Sequence, residues 1–500
     1  PLALLQKAGA IESPYAFHWQ RFALEHFPRG TGFAPVAPVA LPPELPLAQV
    51  EAFSIDDSAT TEIDDALSVQ GLGTGHVTLG IHIAAPALAL QPGSDIDRIA
   101  RQRLSTVYMP GFKITMLPDA LVQSFTLQEG RNCAAVSLYV DVDEATLEVR
   151  ASRTVVEQVP IAHNLRHDQL DHWVTPQWLQ GHQEADVPAV LQQLQPQLAF
   201  LHRLACALKA RREVQRGKPE TLNRPDYNFR LQAVHGDAPL GNETVDISVR
   251  PRGAPLDLIV AEAMILANSS WGAWMAELGV PGIYRSQASL APGVKVRMGT
   301  RAAPHAGIGV QCYAWSTSPL RRYTDLVNQW QIIACARHGS TAALAAPFRP
   351  KDAELMAIVS GFEDAYSAYN AHQMAMERYW TLQYVCQNGI TELPCTVFKD
   401  NMVRADTLPL VLPVLGAQGL PRGARVLVRL GLPDLMALDI TGTVLERLDG
   451  AQPGASDMDL IDEADDAVGG PIALAIDMAD AARDAQDSAA AGAAFQRDPA

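Results

Sequence analysis

The sequence predicts a mixed α/β chain of several domains: a short helical opening, a large central domain and a small terminal β-barrel. Three observations carry that reading. The 500 residues exceed what one hydrophobic core holds together. Strand and helix periodicities alternate from residue 50 to beyond residue 386 without a clear linker. Asn388-Gly389 then opens a stretch of short strand candidates separated by Gly and Pro.

Ser13-Pro14 reads as an N-cap followed by proline at the first helical position, which starts a helix running to about Phe27. Residues 28–46 are rich in Pro and Gly and read as an extended linker, so residues 1–49 form a helical segment and its connection. Residues 51–55 make a short strand. Residues 66–69 and 76–84 flank a turn carrying Gly71, Gly73 and Gly75, a hairpin signal. Helical periodicity follows over residues 196–212, 256–278, 320–337 and about 351–386, which places the central domain at 50–387. Strand candidates at 395–398, 408–414, 425–430 and 437–444 suit a five-stranded OB-type barrel over 388–448. Arg404, Arg422, Arg425 and Arg429 either give that barrel a basic face or are simply solvated. From 449 to 500 the Ala, Asp and Gly content with few aromatics predicts disorder.

An apolar fraction of 48% with 19% charge is that of a soluble globular protein. No run of eighteen uncharged apolar residues occurs, so no membrane span is expected. The most apolar stretch, 256–278, still carries Asp257, Glu262 and Glu277. No basic-apolar-small signal opens the chain. The six cysteines show no C-x-x-C pair, which argues against a zinc ribbon or redox motif and for free thiols in a reducing cytoplasm. The net charge of −16 is unexpected for a protein that grips a polyanion. Much of it lies in the tail, whose net charge is about −10 with Arg483 and Arg497 its only cations, so the body is only mildly acidic.

The chemistry concentrates in SIDDSATTEIDDAL, residues 54–67, where Asp56, Asp57, Glu62, Asp64 and Asp65 fall between a strand and a hairpin. Crowded carboxylates repel unless cations neutralise them, and all-oxygen clusters suit hard ions such as Mg²⁺ or Mn²⁺. On a regular strand Glu62 and Asp64 share a face while Asp65 points away. Convergence of Asp56, Glu62, Asp64 and Asp65 therefore requires a loop that folds back, which the small polar run from Ser58 to Thr61 permits. Two ions held there activate a water and stabilise the leaving oxygen of a phosphodiester. On these residues alone, a solvated acidic loop is an equally good account. A calcium hand is disfavoured, because its Gly and terminal Glu are missing at the required offsets.

With four further segments added, the sequence resembles the catalytic domain of the ribonuclease II/R family, the RNB domain. They are STVYMPGFKITMLP (105–118), RPDYNF (224–229), AEAMILAN (261–268) and HAGIGVQCYAWSTSPLRRYTDL (305–326), in the family's order. The resemblance implies an α/β catalytic domain that degrades single-stranded RNA from its 3′ end and releases nucleoside 5′-monophosphates, with two divalent ions. It places the metal-binding and catalytic acids on Asp56, Glu62, Asp64 and Asp65. Glu62 departs from the family, which usually has Asp there. Tyr108 and Phe229 match aromatics that stack on terminal bases, a sequence-tolerant contact worth about 1–3 kcal/mol per base. Arg321 matches the arginine that clamps the scissile phosphate. Glu377 matches an acid that places that arginine and the RNA end, and Glu262 matches another RNA-contacting acid. Without the resemblance, Tyr108 and Phe229 read as core aromatics and Glu377 as a solvated helix residue. His305 takes no catalytic role from it and reads as structural or RNA-positioning.

Relatives commonly carry two cold-shock-type barrels ahead of this domain. About fifty residues precede the acidic loop here, too few for two such barrels, so those domains are absent from this sequence or replaced by a small helical module. The expectation is a cytoplasmic, monomeric exoribonuclease that uses Mg²⁺, with Mn²⁺ as the alternative ion. Its rival is a catalytically inactive RNB-type protein that binds RNA as a regulator.

Overall fold

The computed structural model describes residues 2–33, 44–220, 226–232, 234, 238–250, 253–291, 293–399 and 401–449. The tail from residue 450, part of the Pro-rich linker and Arg224-Pro225 of the RPDYNF segment lie outside the described residues. A helix α1 (Pro14–His26) opens as read, with Ser13 accepting a hydrogen bond from the Ala16 N–H and proline at its first position.

Strands β1 (Ala52–Asp56), β2 (Asp65–Gln70), β3 (His76–Ala84), β4 (Asn132–Asp143) and β5 (Val149–Arg166) pair in chain order. They close into a barrel because β5 returns parallel to β1, from Ala52 opposite Ile161 to Asp56 opposite Arg166. The other neighbours are antiparallel. The β2–β3 hairpin forms where the glycines predicted it. At Gly71, whose φ is +84°, a Cβ would lie 2.4 Å from the His76 carbonyl oxygen, so the turn closes only on glycine. From Leu79 to Ala84, β3 is buried on both faces, because helices cover the outside of the barrel while Leu67, Ile81 and Leu138 belong to its core.

One consequence of that double burial is His82. Its ring lies 2.8 Å from both Ser68 Oγ and Ser137 Oγ, fully buried, and burial pushes its pKa down to about 3. His372, stacked on Phe22 with ring centroids 3.7 Å apart, is also pushed down to about 3, by burial and then by the nearby His18, His26 and Arg21. Both therefore fold neutral. Since each folded pKa lies below the unfolded value, stability is complete above about pH 6.5 and is lost as pH falls toward 3. Between pH 7 and pH 5 denaturant unfolding is expected to lose about 2 kcal/mol per buried histidine. His82→Gln is expected to lose correspondingly less, and an equal loss in the two proteins would remove His82 as a cause.

Four more helices wrap the barrel: α2 (Ala189–Arg216), α3 (Pro255–Glu277), α4 (Tyr323–His338) and α5 (Ala353–Gln387). α4 is buried continuously from Tyr323 to Cys335 although it carries Asn328, Gln329 and Gln331. Their amides bond backbone groups: Asn328 donates to the Ile283 and Trp315 carbonyls, Gln329 to Ala84 and Gln331 to Pro281. Buried polar side chains so satisfied lock the helix to the end of β3 and to the loops beside it. α5 has 35 residues and is about 52 Å long at 1.5 Å per residue. It threads three apolar cores. Leu355 to Tyr366 enter the main one, and Leu382 with Val385 enter the terminal barrel. Between them Tyr369, Met376, Tyr379 and Trp380 pack with Tyr15, Phe22 and Phe27 around α1.

A hairpin of β6 (Asp226–Gln232) and β7 (Thr244–Arg250) stands beside α5, with Phe229 opposite Ile247. The terminal barrel is the closed five-stranded one expected. It contains β8 (Glu392–Lys399), β9 (Met402–Ala405), β10 (Val411–Leu415), β11 (Arg425–Leu430) and β12 (Gly442–Arg447), in the order β8-β9-β10-β12-β11. Its second strand escaped the sequence reading, and its last begins at Gly442 rather than residue 437. At Gly442 a Cβ would meet Val428 Cγ1 at 2.5 Å. Among the described residues no helix is long and apolar enough to cross a membrane.

Candidate active site

The two ends of the acidic loop are fixed by the barrel, since Asp56 closes β1 and Asp65 opens β2. Between them the chain is pinned from outside. Arg166 Nη1 donates to the carbonyls of Asp57 (2.9 Å) and Thr60 (3.4 Å), while Asp168 Oδ1 accepts from Ser58 N (3.0 Å) and Oγ (2.8 Å). Ile63 N donates to Thr126 Oγ1, and Ala84 N donates to the Asp64 carbonyl. The loop folds back as convergence requires. Asp56, Glu62, Asp64 and Asp65 line one cavity of about 810 Å³, joined there by Tyr108, Phe229, Arg321 and Glu377.

The electrostatics are first those of buried carboxyls and only then of neighbouring ones. Burial pushes the Asp64 pKa up to about 7, opposed by Arg321 and the Leu320 N–H. Asp56 is pushed up to about 6 by burial, opposed by Ser54, Arg166 and Arg321. Asp65 is raised well above the usual range by burial, then by Asp56 and Asp64. Asp64 Oδ1 accepts from Leu320 N at 2.9 Å, and its Oδ2 lies 3.3 Å from Arg321 Nε. Glu62 Oε2 accepts from Tyr108 OH at 3.2 Å and lies 3.0 Å from Lys113 Nζ. Asp56 Oδ2 and Glu62 Oε1 are buried with no hydrogen-bond donor among the described residues. Buried carboxylate oxygens without donors, beside other carboxyls in one cavity, fit divalent cations.

Glu62 turned to Lys113 and Tyr108, and Asp64 turned to Arg321, spread the four acids around the cavity. The three-group sets whose ligand atoms all lie within 4.8 Å are instead Asp57, His167, Asp168 and His167, Asp171, Asp257, among the described residues. Asp57 and His167 line the same cavity.

The tandem arginines divide their work. Arg322 makes two hydrogen bonds to Asp325, at 2.8 and 2.7 Å, and lies over Trp315, so it holds the loop ahead of α4. Arg321 gives Nε to Asp64 and Nη2 to Ser318 Oγ at 2.8 Å, and its buried Nη1 has no acceptor among the described residues. Glu377 Oε1 accepts from Gln373 one turn earlier at 3.0 Å, and burial pushes its pKa up to about 8.

Glu262 is not brought to this cavity. It is buried and held by the Arg212 guanidinium, Nε to Oε2 at 3.0 Å, which braces α2 against α3. His305 is fully buried and accepts from Ile308 N, a structural placement. Lys113 and Gln373 also line the cavity and were missed. For Lys113 the signal was present: Pro110-Gly111 turns the chain so that Lys113 pairs directly with Tyr108. Gly111, with φ of +74°, would strain any side chain, and a Cβ there would lie 2.3 Å from Leu231 Cδ1 and displace it, where the hairpin tip abuts β6.

A mixed five-stranded barrel with an acid-lined mouth, an arginine loop leading into α4 and a second small barrel define an RNB-type architecture. The model of the RNB domain family matches residues 46–293 and 294–338, more than half of the chain, and the chain belongs to this family. It is 29% identical over 393 residues to an uncharacterized ribonuclease of Synechocystis sp., covering 73% of this chain and 53% of that protein. It is 28% identical over 337 residues to exoribonuclease 2 of Pectobacterium atrosepticum, covering 56% and 49%. The chain thus spans about half the length of the curated relatives it matches. Its fold matches that of Mycoplasma genitalium RNase R, solved with ribose-methylated single-stranded RNA, with a TM-score of 0.64 at 15% identity over 80% of this chain and 72% of that one.

Proposed function

We propose that this chain is a metal-dependent exoribonuclease that shortens single-stranded RNA from its 3′ end, processively, releasing nucleoside 5′-monophosphates. The observation that carries this reading is the gathering of Asp56, Glu62, Asp64, Asp65, Arg321, Tyr108 and Phe229 on one cavity. Membership of the RNB family, relatives named as exoribonucleases and an RNase R of the same fold solved with single-stranded RNA support it. All six cysteines are free thiols, which suits a reducing compartment such as the cytoplasm.

In this reading Asp56, Asp64 and Asp65, with Glu62 at their edge, hold Mg²⁺ or Mn²⁺. Two such ions, when bound, lower the pKa of an attacking water and stabilise the leaving oxygen of the phosphodiester. Arg321 supplies a preset guanidinium to the charge that develops on the phosphoryl oxygens. Glu377, largely protonated at neutral pH, offers a proton to a sugar hydroxyl of the terminal nucleotide. Tyr108 and Phe229 stack the last bases without demanding sequence, as a processive enzyme needs.

The test is a 5′-labelled single-stranded RNA incubated with the protein in Mg²⁺ or Mn²⁺, beside a matched DNA. A ladder shortening from the 3′ end, with mononucleotides released and chelator abolishing it, is the expected result. Binding without cleavage in either ion would replace this reading with that of an RNA-binding regulator. Glu62, drawn toward Lys113 and Tyr108, is the feature that favours that alternative.

A further inference from the structure

We propose that Lys113 is a phosphate-binding residue of the cavity, delivered to the nucleic-acid strand when a divalent cation takes its place on Glu62. The inference rests on the reading that the cavity receives an RNA end. Among the described residues seven carboxyl side chains line the cavity against three lysines or arginines: Lys113, Arg230 and Arg321. A polyanion entering so acidic a space needs cations on the wall, and these three are unequal. Arg321 is buried, with Nε and Nη2 on Asp64 and Ser318, and keeps only Nη1 for the phosphoryl group in the proposed reaction. The Arg230 side chain is 74% exposed and faces Asp168 at 3.6 Å, so it belongs to the rim. Lys113 lies deeper, its side chain 31% exposed, with Nζ 3.0 Å from Glu62 Oε2 and 2.6 Å from Thr61 Oγ1.

Its placement beside Tyr108 is fixed by the backbone. The two residues are direct cross-strand partners in the hairpin Val107–Met109/Phe112–Ile114, which sets their side chains about 5 Å apart at the root on the same face. The tip packs against Leu231 of β6. What remains free is the lysine's four-carbon stem, ending in a compact charge that rotates readily. A base stacked on Tyr108 puts its own backbone phosphate within that reach.

Glu62 supplies one negative charge and Lys113 now balances it. A divalent cation on Glu62 repels the ammonium at close range, and the phosphate is then the nearest anion able to receive it. Lys113 therefore contributes to strand binding only when the acids are loaded. Loading of the ion and grip on the strand are thereby coupled through one side chain.

The experiment measures binding of a labelled single-stranded oligoadenylate to the full chain by fluorescence anisotropy. Salt is varied, in Ca²⁺ and again in chelator, for the unaltered protein, Lys113→Met and Lys113→Arg. In Ca²⁺ the slope of log affinity against log salt is expected to be shallower by about 0.7 in Lys113→Met, the share of one phosphate contact on a single strand. An oligouridylate should show the same loss, and Lys113→Arg should restore the slope. In chelator the two slopes should coincide. Equal slopes in Ca²⁺ would overturn the proposal and leave Lys113 a structural latch, visible only as a lower melting temperature. An equal loss in chelator would overturn the exchange. If the unaltered protein failed to bind either oligomer, the reading of the cavity itself would fall, and the proposal with it.

Discussion

Asp64→Asn is expected to lower turnover on single-stranded RNA by about 10³-fold or more while leaving the fold intact. Asp64 sits where two demands meet. Its Oδ1 accepts the Leu320 N–H, which an asparagine oxygen also accepts, so the loop ahead of α4 keeps its anchor. Its Oδ2 faces Arg321 and the cavity, and there the substitution puts an amide that cannot hold a divalent cation. Cation stabilisation of a phosphoryl transition state contributes several kcal/mol, and about 4 kcal/mol corresponds to about 10³ in rate. Stability in chelator should change far less than turnover: the carboxyl that burial pushes up to about 7 is costly to ionise, while its loss takes a counter-charge from the buried Arg321. Added Mg²⁺ should raise the melting temperature of the unaltered protein and do so less in the variant. A variant that retained full turnover, with its thermal response to Mg²⁺ unchanged, would exclude Asp64 from the ion site.

That the acids share one cavity was legible in the sequence, but where each points within it was not. The loop had to fold back for Glu62, Asp64 and Asp65 to share a cavity, an argument from strand geometry alone, and it does. The direction each carboxylate takes depends on partners far along the chain: Leu320 and Arg321 for Asp64, Lys113 and Tyr108 for Glu62. No local pattern carries those contacts. The β2–β3 hairpin and the ends of α1, α3 and α5 followed from turn glycines, caps and periodicity. β4 and β5 were not singled out although they close the barrel, because closure is a pairing between Ala52 and Ile161, 109 positions apart. The start of α4 was misplaced by three residues for a similar reason. Leu320, Arg321 and Arg322 have the spacing of a helix, but Asp325 draws Ser318 N and Arg322 into a capping loop instead. Glu262 lies in a matching segment and was expected to contact RNA, while its surroundings make it the partner of Arg212, away from the cavity lining.

Arg321→Lys is the second large effect expected, with kcat falling about 10²–10³-fold, as when a single preset donor to transition-state charge is removed. The guanidinium does three things with three nitrogens. Nε faces Asp64, Nη2 donates to Ser318 Oγ, and Nη1, buried with no acceptor among the described residues, is the nitrogen proposed to meet the phosphoryl oxygens. Lysine keeps the charge but has one nitrogen, so it pairs with Asp64 or with the phosphate and cannot fix its own position through Ser318. The charge balance of the buried acids is then nearly unchanged, which separates this substitution from Arg321→Ala, where Asp64 would lose its counter-charge. Because the interaction is realised as charge develops, kcat and kcat/KM should fall together while KM moves little. Ser318→Ala should show a weaker form of the same signature, since it loosens the guanidinium without removing it. Combining Asp64→Asn with Arg321→Lys should cost far less than the product of the two single losses, because each already disables the same transition-state contact. Single-turnover kinetics on a 5′-labelled RNA measure all four. A loss confined to KM would make Arg321 a strand-holding residue and move the stabilisation of charge to another group in the cavity.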